Sequence, residues 1–395
     1  MTPPLTLRQT LRSLPPSAWA LFAGTFINRF GSFVVPFLIL YLIREGYSAA
    51  AAGTVVGAYG LGSLAASAFG GFLADRLGRR ATIALSMFSA AAVLLVLSQA
   101  RHLALITALT GLAGLTAEMY RPASGALLAD LLPPAQRVTA FALYRLAINA
   151  GFAFGPAAAG LLADRSFFWL FLGDALTSAV FGVIALVALP EGPRSPAAAE
   201  QRGESVRTIL ADRGFLRFLA ASVAIAFVYF QSTSTFALHV RESGLSNAAY
   251  GALVSLNGLI IVFLELPLTG VTQRLPQRPV IAAGMLLIGV GFGLTALAHT
   301  FPLLAATVLI WTLGEIVGAP VASAYVANIA PAHLRGRYQG AWGMTWGLAF
   351  VLGPVLGTRL FSWSPTGFWA ICAGLGAVAA VLVLAGRERA SVPAG

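Results

Sequence analysis

Apolar runs of twenty or more residues recur along this chain from end to end, and nothing constrains its fold more. A run of that length crosses roughly 30 Å of hydrocarbon as a helix rising about 1.5 Å per residue. Inside lipid every backbone N–H and C=O must find its partner within the protein, so only helices and closed barrels span. These runs are about twice as long as a barrel strand and do not alternate apolar with polar residues, which excludes an outer-membrane barrel. The expected fold is an all-α integral membrane protein. Its spans are expected at 18–42, 50–74, 80–99, 103–128, 138–162, 167–189, 216–240, 248–272, 279–298, 303–327, 338–361 and 366–386. Only 10% of residues are charged, where a soluble domain carries about 25%. Arg8 and Arg12 precede the first run, but the run exceeds a signal peptide's apolar core and lacks a cleavage site, so it is expected to remain as the first span.

The charge balance is +11, and every basic residue is an arginine. In a soluble chain that would suggest nucleic acid. Here 17 arginines flank one set of span ends, five flank the other, and three (Arg29, Arg121 and Arg145) lie within spans. By the positive-inside rule both termini are cytoplasmic and the basic excess is topological, so no nucleic-acid partner is expected. The single cysteine, Cys372, excludes intramolecular disulfides and thiolate clusters. His102, His239, His299 and His333 sit near span ends without metal-ligand spacing, so no metal site is expected. No P-loop, H-E-x-x-H or G-x-S-x-G motif occurs, so no catalytic residues and no enzyme activity are expected.

The chain repeats itself at an offset of 198 residues. Gly46, Ser48, Gly53 and Gly60 fall on Gly244, Ser246, Gly251 and Gly258. Arg76, Arg80, Pro122, Pro133 and Arg137 fall on Arg274, Arg278, Pro320, Pro331 and Arg335, and Gly155-Pro156 falls on Gly353-Pro354. An even number of spans per copy returns the second copy to the same orientation, so the halves are parallel repeats. That arrangement belongs to transporters, with substrate bound near the midplane. The expected domains are a six-helix bundle over 1–189, a polar cytoplasmic linker over 190–214 and a second bundle over 215–395, around a central cavity.

Two motifs carry a family resemblance. GFLADRLGRR, Gly71 to Arg80, resembles the cytoplasmic signature loop of the major facilitator superfamily, G-x-x-x-D-R-x-G-R-R, at Gly71, Asp75, Arg76, Gly78, Arg79 and Arg80. Gly78 permits a tight turn, and Asp75 is expected to pair with a nearby arginine and latch the cytoplasmic side. The second copy, TGVTQRLPQRP, has Gln273 and Pro276 at the acid and glycine positions, so a charge latch belongs to the first half. GFAFGPAAAG in the fifth span is similar to the antiporter motif of the drug:proton branches, G-x-x-x-G-P-x-x-G-G. Gly151, Gly155, Pro156 and Gly160 match, and Ala159 stands for a glycine. Glycines four apart let helices approach closely, and the proline kinks the span. Generic small-residue packing explains the same pattern, since Gly353-Pro354 repeats it.

Charges in mid-span cost on the order of 2.5–3.5 kcal/mol on insertion scales and are functional by default. AEMYRPASG in the fourth span holds Glu118 and Arg121 three residues apart, on one helical face. Arg121 and Gly125 also fit the superfamily efflux pattern R-x-x-Q-G, with Ser124 for the glutamine. The expected role is proton uptake and release at Glu118 with Arg121 modulating it; the bland alternative is a static ion pair. Glu315 and Asp174 are further candidate proton-coupling acids, and Glu265 is a weaker one. Arg29, beside Asn28 in the first span, either neutralises an acid or contacts an anionic substrate, and Arg145 shares a face with Asn149. Phe26 with Phe22, Phe30 and Phe33, and Tyr229, Trp342 and Trp346, would suit flat cations through cation–π contact, although lipid packing explains them as well.

The resemblance covers essentially the whole chain and is strongest to the twelve-span drug:proton antiporters. It implies a secondary transporter that exports lipophilic, often cationic, molecules in exchange for protons by alternating access. The proton is then the coupling ion, and no cofactor is implied. A bacterial cytoplasmic membrane and a monomer are expected. The runner-up is a transporter of a defined, possibly anionic, metabolite; a receptor without flux stands behind it.

Overall fold

The computed structural model describes residues 11, 13–191, 208–331 and 334–385. Most of the linker, Arg8, Arg12, Arg387, Arg389 and His333 lie outside the described residues. Among the described residues the chain is helical throughout and no strand occurs. Fifteen α-helices carry the argument: α1 (Pro16–Phe30), α2 (Val34–Arg44), α3 (Ala49–Arg76), α4 (Arg79–Leu97), α5 (Leu103–Glu118), α6 (Tyr120–Leu131), α7 (Pro134–Arg165), α8 (Phe168–Ala188), α9 (Arg213–Tyr229), α10 (Thr235–Glu242), α11 (Asn247–Thr272), α12 (Gln277–Leu294), α13 (Phe301–Ile329), α14 (Arg335–Trp363) and α15 (Pro365–Leu384). By length and composition they supply 12 candidate membrane spans, within a few residues of the sequence boundaries except the seventh, which ends at Thr233 instead of 240.

Three spans are broken, and local chemistry explains each break. The first divides between α1 and α2. Pro36 has no N–H and its ring crowds the carbonyl four residues back, at Ser32. The chain turns instead through Gly31, whose N–H still reaches Ile27 O at 3.0 Å. The fourth span divides at Met119, where Pro122 acts in the same way on the carbonyl of Glu118. The seventh is not the continuous helix expected over 216–240. Phe230–Thr233 forms a 3₁₀ turn between α9 and α10. Gln231 Nε2 donates to Phe227 O at 2.8 Å and Ser234 Oγ to Phe230 O at 3.0 Å. Side chains that take over backbone carbonyls compete with the regular helix.

The described chain clusters into two compact units. One comprises residues up to 198 with Val240–Val262; the other runs from 199 to His239 and from Phe263 onwards. The first half of α11 therefore packs with the first unit. Packing partners repeat with the sequence: α4 lies against α5 and α8 as α12 lies against α13 and α15, and α1 lies against α7 and α8 as α9 lies against α14 and α15. Glycines make these approaches possible. A Cβ on Gly314 would sit 2.7 Å from Ile288 N, and one on Gly289 would sit 2.7 Å from the Cα of Gly376. Small residues of this kind replace the hydrophobic effect, which cannot drive helices together in lipid. A tighter side-chain core fills the first unit, with Leu21, Met87, Tyr120, Leu127 and Phe181 fully buried.

Candidate functional site

The helix breaks decide where the charges of the first unit meet. Arg29 lies in the last turn of α1, Glu118 ends α5, and Arg121 opens α6. Glu118 is buried and receives both guanidinium groups. Arg29 Nη1 and Nη2 approach its carboxylate at 3.3 Å, and Arg121 Nε at 2.9 Å. Arg29 Nε donates to the Tyr120 hydroxyl at 3.0 Å. The side chain of Arg121 is 52% exposed against 10% for Glu118, so Arg121 borders open space while the acid does not. Sequence spacing anticipates the pair Glu118–Arg121. It leaves Arg29 open between an acid and an anionic substrate, and the structure places it on the acid. Tyr120 and Tyr59, which adds a hydrogen bond to Glu118, were not singled out; their signal was two tyrosines inside otherwise apolar helices.

Asp174 on α8 lies on the other side of the break in the first span. Its Oδ2 accepts from the backbone N–H of Val34, the first residue of α2, at 3.2 Å. A carboxylate at a helix N-terminus meets orphan donors and the positive end of the dipole. Asn28 Nδ2 donates to Ser178 Oγ at 3.1 Å, again between α1 and α8. Asn28, Arg29, Glu118, Asp174 and Ser178 line one small cavity of about 30 Å³. Phe26 stacks on Phe30 at a centroid distance of 6.4 Å.

The antiporter-like segment fixes this cluster from α7. A Cβ on Gly151 would lie 2.7 Å from Arg29 Cβ, and Gly155 faces the Phe30 carbonyl, so both glycines let α1 seat against α7. Gly160 faces Asn247 O, and the Pro156 carbonyl faces Gly251. One residue after the proline, Ala157 N–H donates to Ser255 Oγ at 2.9 Å.

The second unit holds a different pocket, of about 40 Å³. The Tyr229 hydroxyl donates to Glu315 Oε1 at 3.2 Å. Trp346 stands edge-on to Tyr229 at 5.5 Å. Glu315, Trp342 and Trp346 line the pocket together with Ile225, Met285 and Ile288.

At the signature loop Gly78 adopts φ +94°, which only glycine takes readily, and caps α4. A side chain on Gly71 would meet open space. The charge contact differs from the expected one. Among the described residues Asp75 makes no ion pair, whereas Arg79 pairs with Asp130 of α6 at 3.1 Å and Arg80 with Glu191. Arg76 lies over the Phe72 ring at 4.7 Å. Asp130 was not anticipated, because nothing in spacing links it to a loop fifty residues earlier.

Twelve apolar spans in two repeats, with charges held at mid-span, define the class of protein: a multi-pass helical membrane transporter. The chain belongs to the Major Facilitator Superfamily, whose family model matches residues 21–248 and 233–394. It is 28% identical to the uncharacterized MFS-type transporter YqjV of Bacillus subtilis, over 88% of this chain and 86% of that one. It is 25% identical to a Na(+), Li(+), K(+)/H(+) antiporter of Planococcus maritimus, over 89% and 91%. It is 26% identical to the multidrug resistance protein MdtH of Aeromonas salmonicida, over 82% of each. In fold it is similar to the nucleoside transporter NupG, with a TM-score of 0.83 over 94% of this chain and all of that one at 16% identity. The relatives are bacterial, and the chain is a multi-pass membrane protein of that kind.

Proposed function

We propose that this transporter exports lipophilic cations in exchange for protons and that Glu118 carries the exchanged proton. One observation carries the reading: a buried carboxylate at the centre of a span, gripped by Arg29 and Arg121 from two different helices. Protonation of Glu118 removes the charge that both guanidinium groups face. Stranding a buried charge costs about 3–5 kcal/mol, so proton uptake forces α1 and α6 to rearrange. That links a chemical event to a change in the accessibility of the cavity. The cationic cargo is assigned to the second unit, where Glu315 is surrounded by Tyr229, Trp342 and Trp346. The names of the MdtH relative and of the cation/proton antiporter support export and proton exchange. The working state is a monomer in the bacterial cytoplasmic membrane with both termini inside, and the proton is its coupling ion.

The test uses purified protein in liposomes with a trapped pH dye and an imposed proton gradient. Ethidium is expected to stimulate proton flux in the wild type and to leave Glu118→Gln silent. Flux that persists in folded Glu118→Gln removes Glu118 from the mechanism. Wild-type protein that responds to no cation points instead to an anionic metabolite, with the half-exposed Arg121 as the residue to examine first.

A further inference from the structure

We propose that Ser222 is a second polar contact for cargo in the pocket of the second unit. That pocket then selects lipophilic aromatic cations that also carry a hydrogen-bonding group. The inference rests on the reading that Glu315 holds the cationic cargo, and it names the class of that cargo more narrowly.

The charge at this pocket is simple. Among the residues that line it Glu315 is the one charged group, and no arginine is among them. A cation therefore meets an acid and the aromatic faces of Trp342 and Trp346 without an opposing guanidinium. Ile225, Met285 and Ile288 complete walls that are apolar. Charge and apolar surface alone would accept any lipophilic cation.

Ser222 departs from that pattern. It lines the same pocket from α9, one turn before Ile225. The residue is 2% exposed, and its Oγ has no hydrogen-bond partner. A serine inside a span ordinarily bonds a carbonyl of the preceding turn, as Ser89 does to Leu85 O at 2.6 Å and Ser362 to Thr358 O at 2.8 Å. Ser222 makes no such bond. A buried hydroxyl without a partner is costly, and a polar group on a molecule in the pocket would satisfy it.

Packing alone does not account for the serine. In the first copy the position is Gly24, where a Cβ would run into the ring of Phe181. Moving 198 residues along the chain puts Ala379 in the place of Phe181, so the second copy has room for a side chain here. Alanine would fill that room without stranding a hydroxyl.

The two polar points are separate. From α9 the Tyr229 hydroxyl donates to Glu315 at 3.2 Å. Ser222 lies seven residues earlier on the same helix, two turns or about 10 Å along its axis. A molecule that reaches both carries its hydrogen-bonding group away from the part that meets Glu315. At about 40 Å³ the pocket takes one edge of such a molecule rather than the whole. A flat aromatic cation with an amine at its ring edge has this form, and the amine donates to the serine oxygen.

The experiment measures equilibrium binding to the detergent-purified full chain by quenching of its tryptophan emission. The probes are ethidium and 5-ethyl-6-phenylphenanthridinium, which keeps the rings and charge of ethidium and lacks its two aromatic amines. Binding needs no proton flux, so a failure at Glu118 leaves the result intact. The wild type is expected to bind ethidium about three- to tenfold more tightly than the amine-free cation, the worth of one hydrogen bond. Ser222→Ala is expected to abolish that preference by weakening ethidium alone, and Glu315→Gln to weaken both probes alike. Equal binding of the two probes by the wild type overturns the proposal, leaves water as the partner of Ser222 and keeps the cation reading of the pocket. A preference that survives Ser222→Ala overturns it as well. A wild type that binds neither probe overturns the cation reading and the proposal with it. If Ser222→Ala does not fold, the wild-type preference alone decides.

Discussion

The two units share a packing scheme but not a charge pattern. In the first, Arg29, Glu118, Arg121 and Asp174 gather around the broken first span. Moving 198 residues along the chain replaces them with Phe227, Ile316, Ala319 and Cys372. The second unit is therefore a natural control: it builds the same helix pairs, α12 on α13 and α15 and α9 on α14 and α15, with apolar residues at those four positions. A fold that stands without the charges does not require them, and charges in mid-span are expensive. Their retention in one copy alone argues that they act. The second unit in turn carries Glu315, one residue from the repeat partner of Glu118, in a pocket that Trp342 and Trp346 also line. Two copies of one packing scheme thus carry different charged and aromatic side chains.

The strongest way to break this comparison is to impose the second unit's residues on the first. Arg29→Phe alone takes away one of the two guanidinium groups on a buried carboxylate and is expected to cost about 3–5 kcal/mol of stability. Arg29→Phe, Glu118→Ile and Arg121→Ala together remove every member of the ion cluster. Replacing a buried ion network by packed apolar residues is often neutral or stabilising, so the triple variant is expected to recover to within about 1 kcal/mol of the wild type while losing cation-driven proton flux. Thermal unfolding in detergent and flux in liposomes read the two halves of the claim. A triple variant as unstable as the single one would make the cluster structural.

The second unit offers a smaller effect. Glu315→Gln keeps the Tyr229 hydrogen bond possible and removes the charge. A charge-assisted contact is worth about 1.5–3 kcal/mol, so the half-saturating concentration of a lipophilic cation is expected to rise by tenfold or more. Trp346→Ala removes one aromatic face, worth about 0.5–2 kcal/mol, with a shift of a few-fold. Both variants are expected to keep the Glu118-dependent proton step at saturating cargo. Loss of that step in Glu315→Gln would mean that the proton and the cargo share one acid.

How much of this was legible in the sequence depends on the range of each interaction. The spans, their order and the repeat were legible, because hydropathy and a fixed offset are properties of consecutive residues. The pair Glu118–Arg121 was legible because three residues of helix put both on one face. The partners Arg29–Glu118 and Arg79–Asp130 were not, since they join spans 89 and 51 positions apart and no spacing rule reaches that far. The broken seventh span was missed for another reason. QSTST reads as a mildly polar patch in an apolar run, and only contacts such as Gln231 Nε2 to Gly353 O at 3.2 Å show that its side chains take the backbone's place. The prolines at 36 and 122 were visible, but Pro156, Pro320 and Pro354 sit inside continuous helices. Proline alone therefore does not tell a break from a kink.

The smallest effect concerns the two turns that precede α4 and α12, where the copies again differ. Gly78 caps α4 at φ +94°, and its counterpart Pro276 caps α12 at φ −56°. The first turn demands a left-handed residue and the second forbids one. Gly78→Ala places a Cβ in a conformation that L residues avoid, at a cost of about 1 kcal/mol. Pro276→Ala frees a turn whose backbone any residue can adopt, and costs a few tenths of that through the unfolded chain. Because Gly78 immediately precedes Arg79, a strained turn also shifts the Arg79–Asp130 pair that ties α4 to α6. The expected result is a lowered unfolding temperature for Gly78→Ala with a further loss of flux, and a near-silent Pro276→Ala. Equal effects in the two turns would mean that the loop motif marks ancestry in both copies and a working contact in neither.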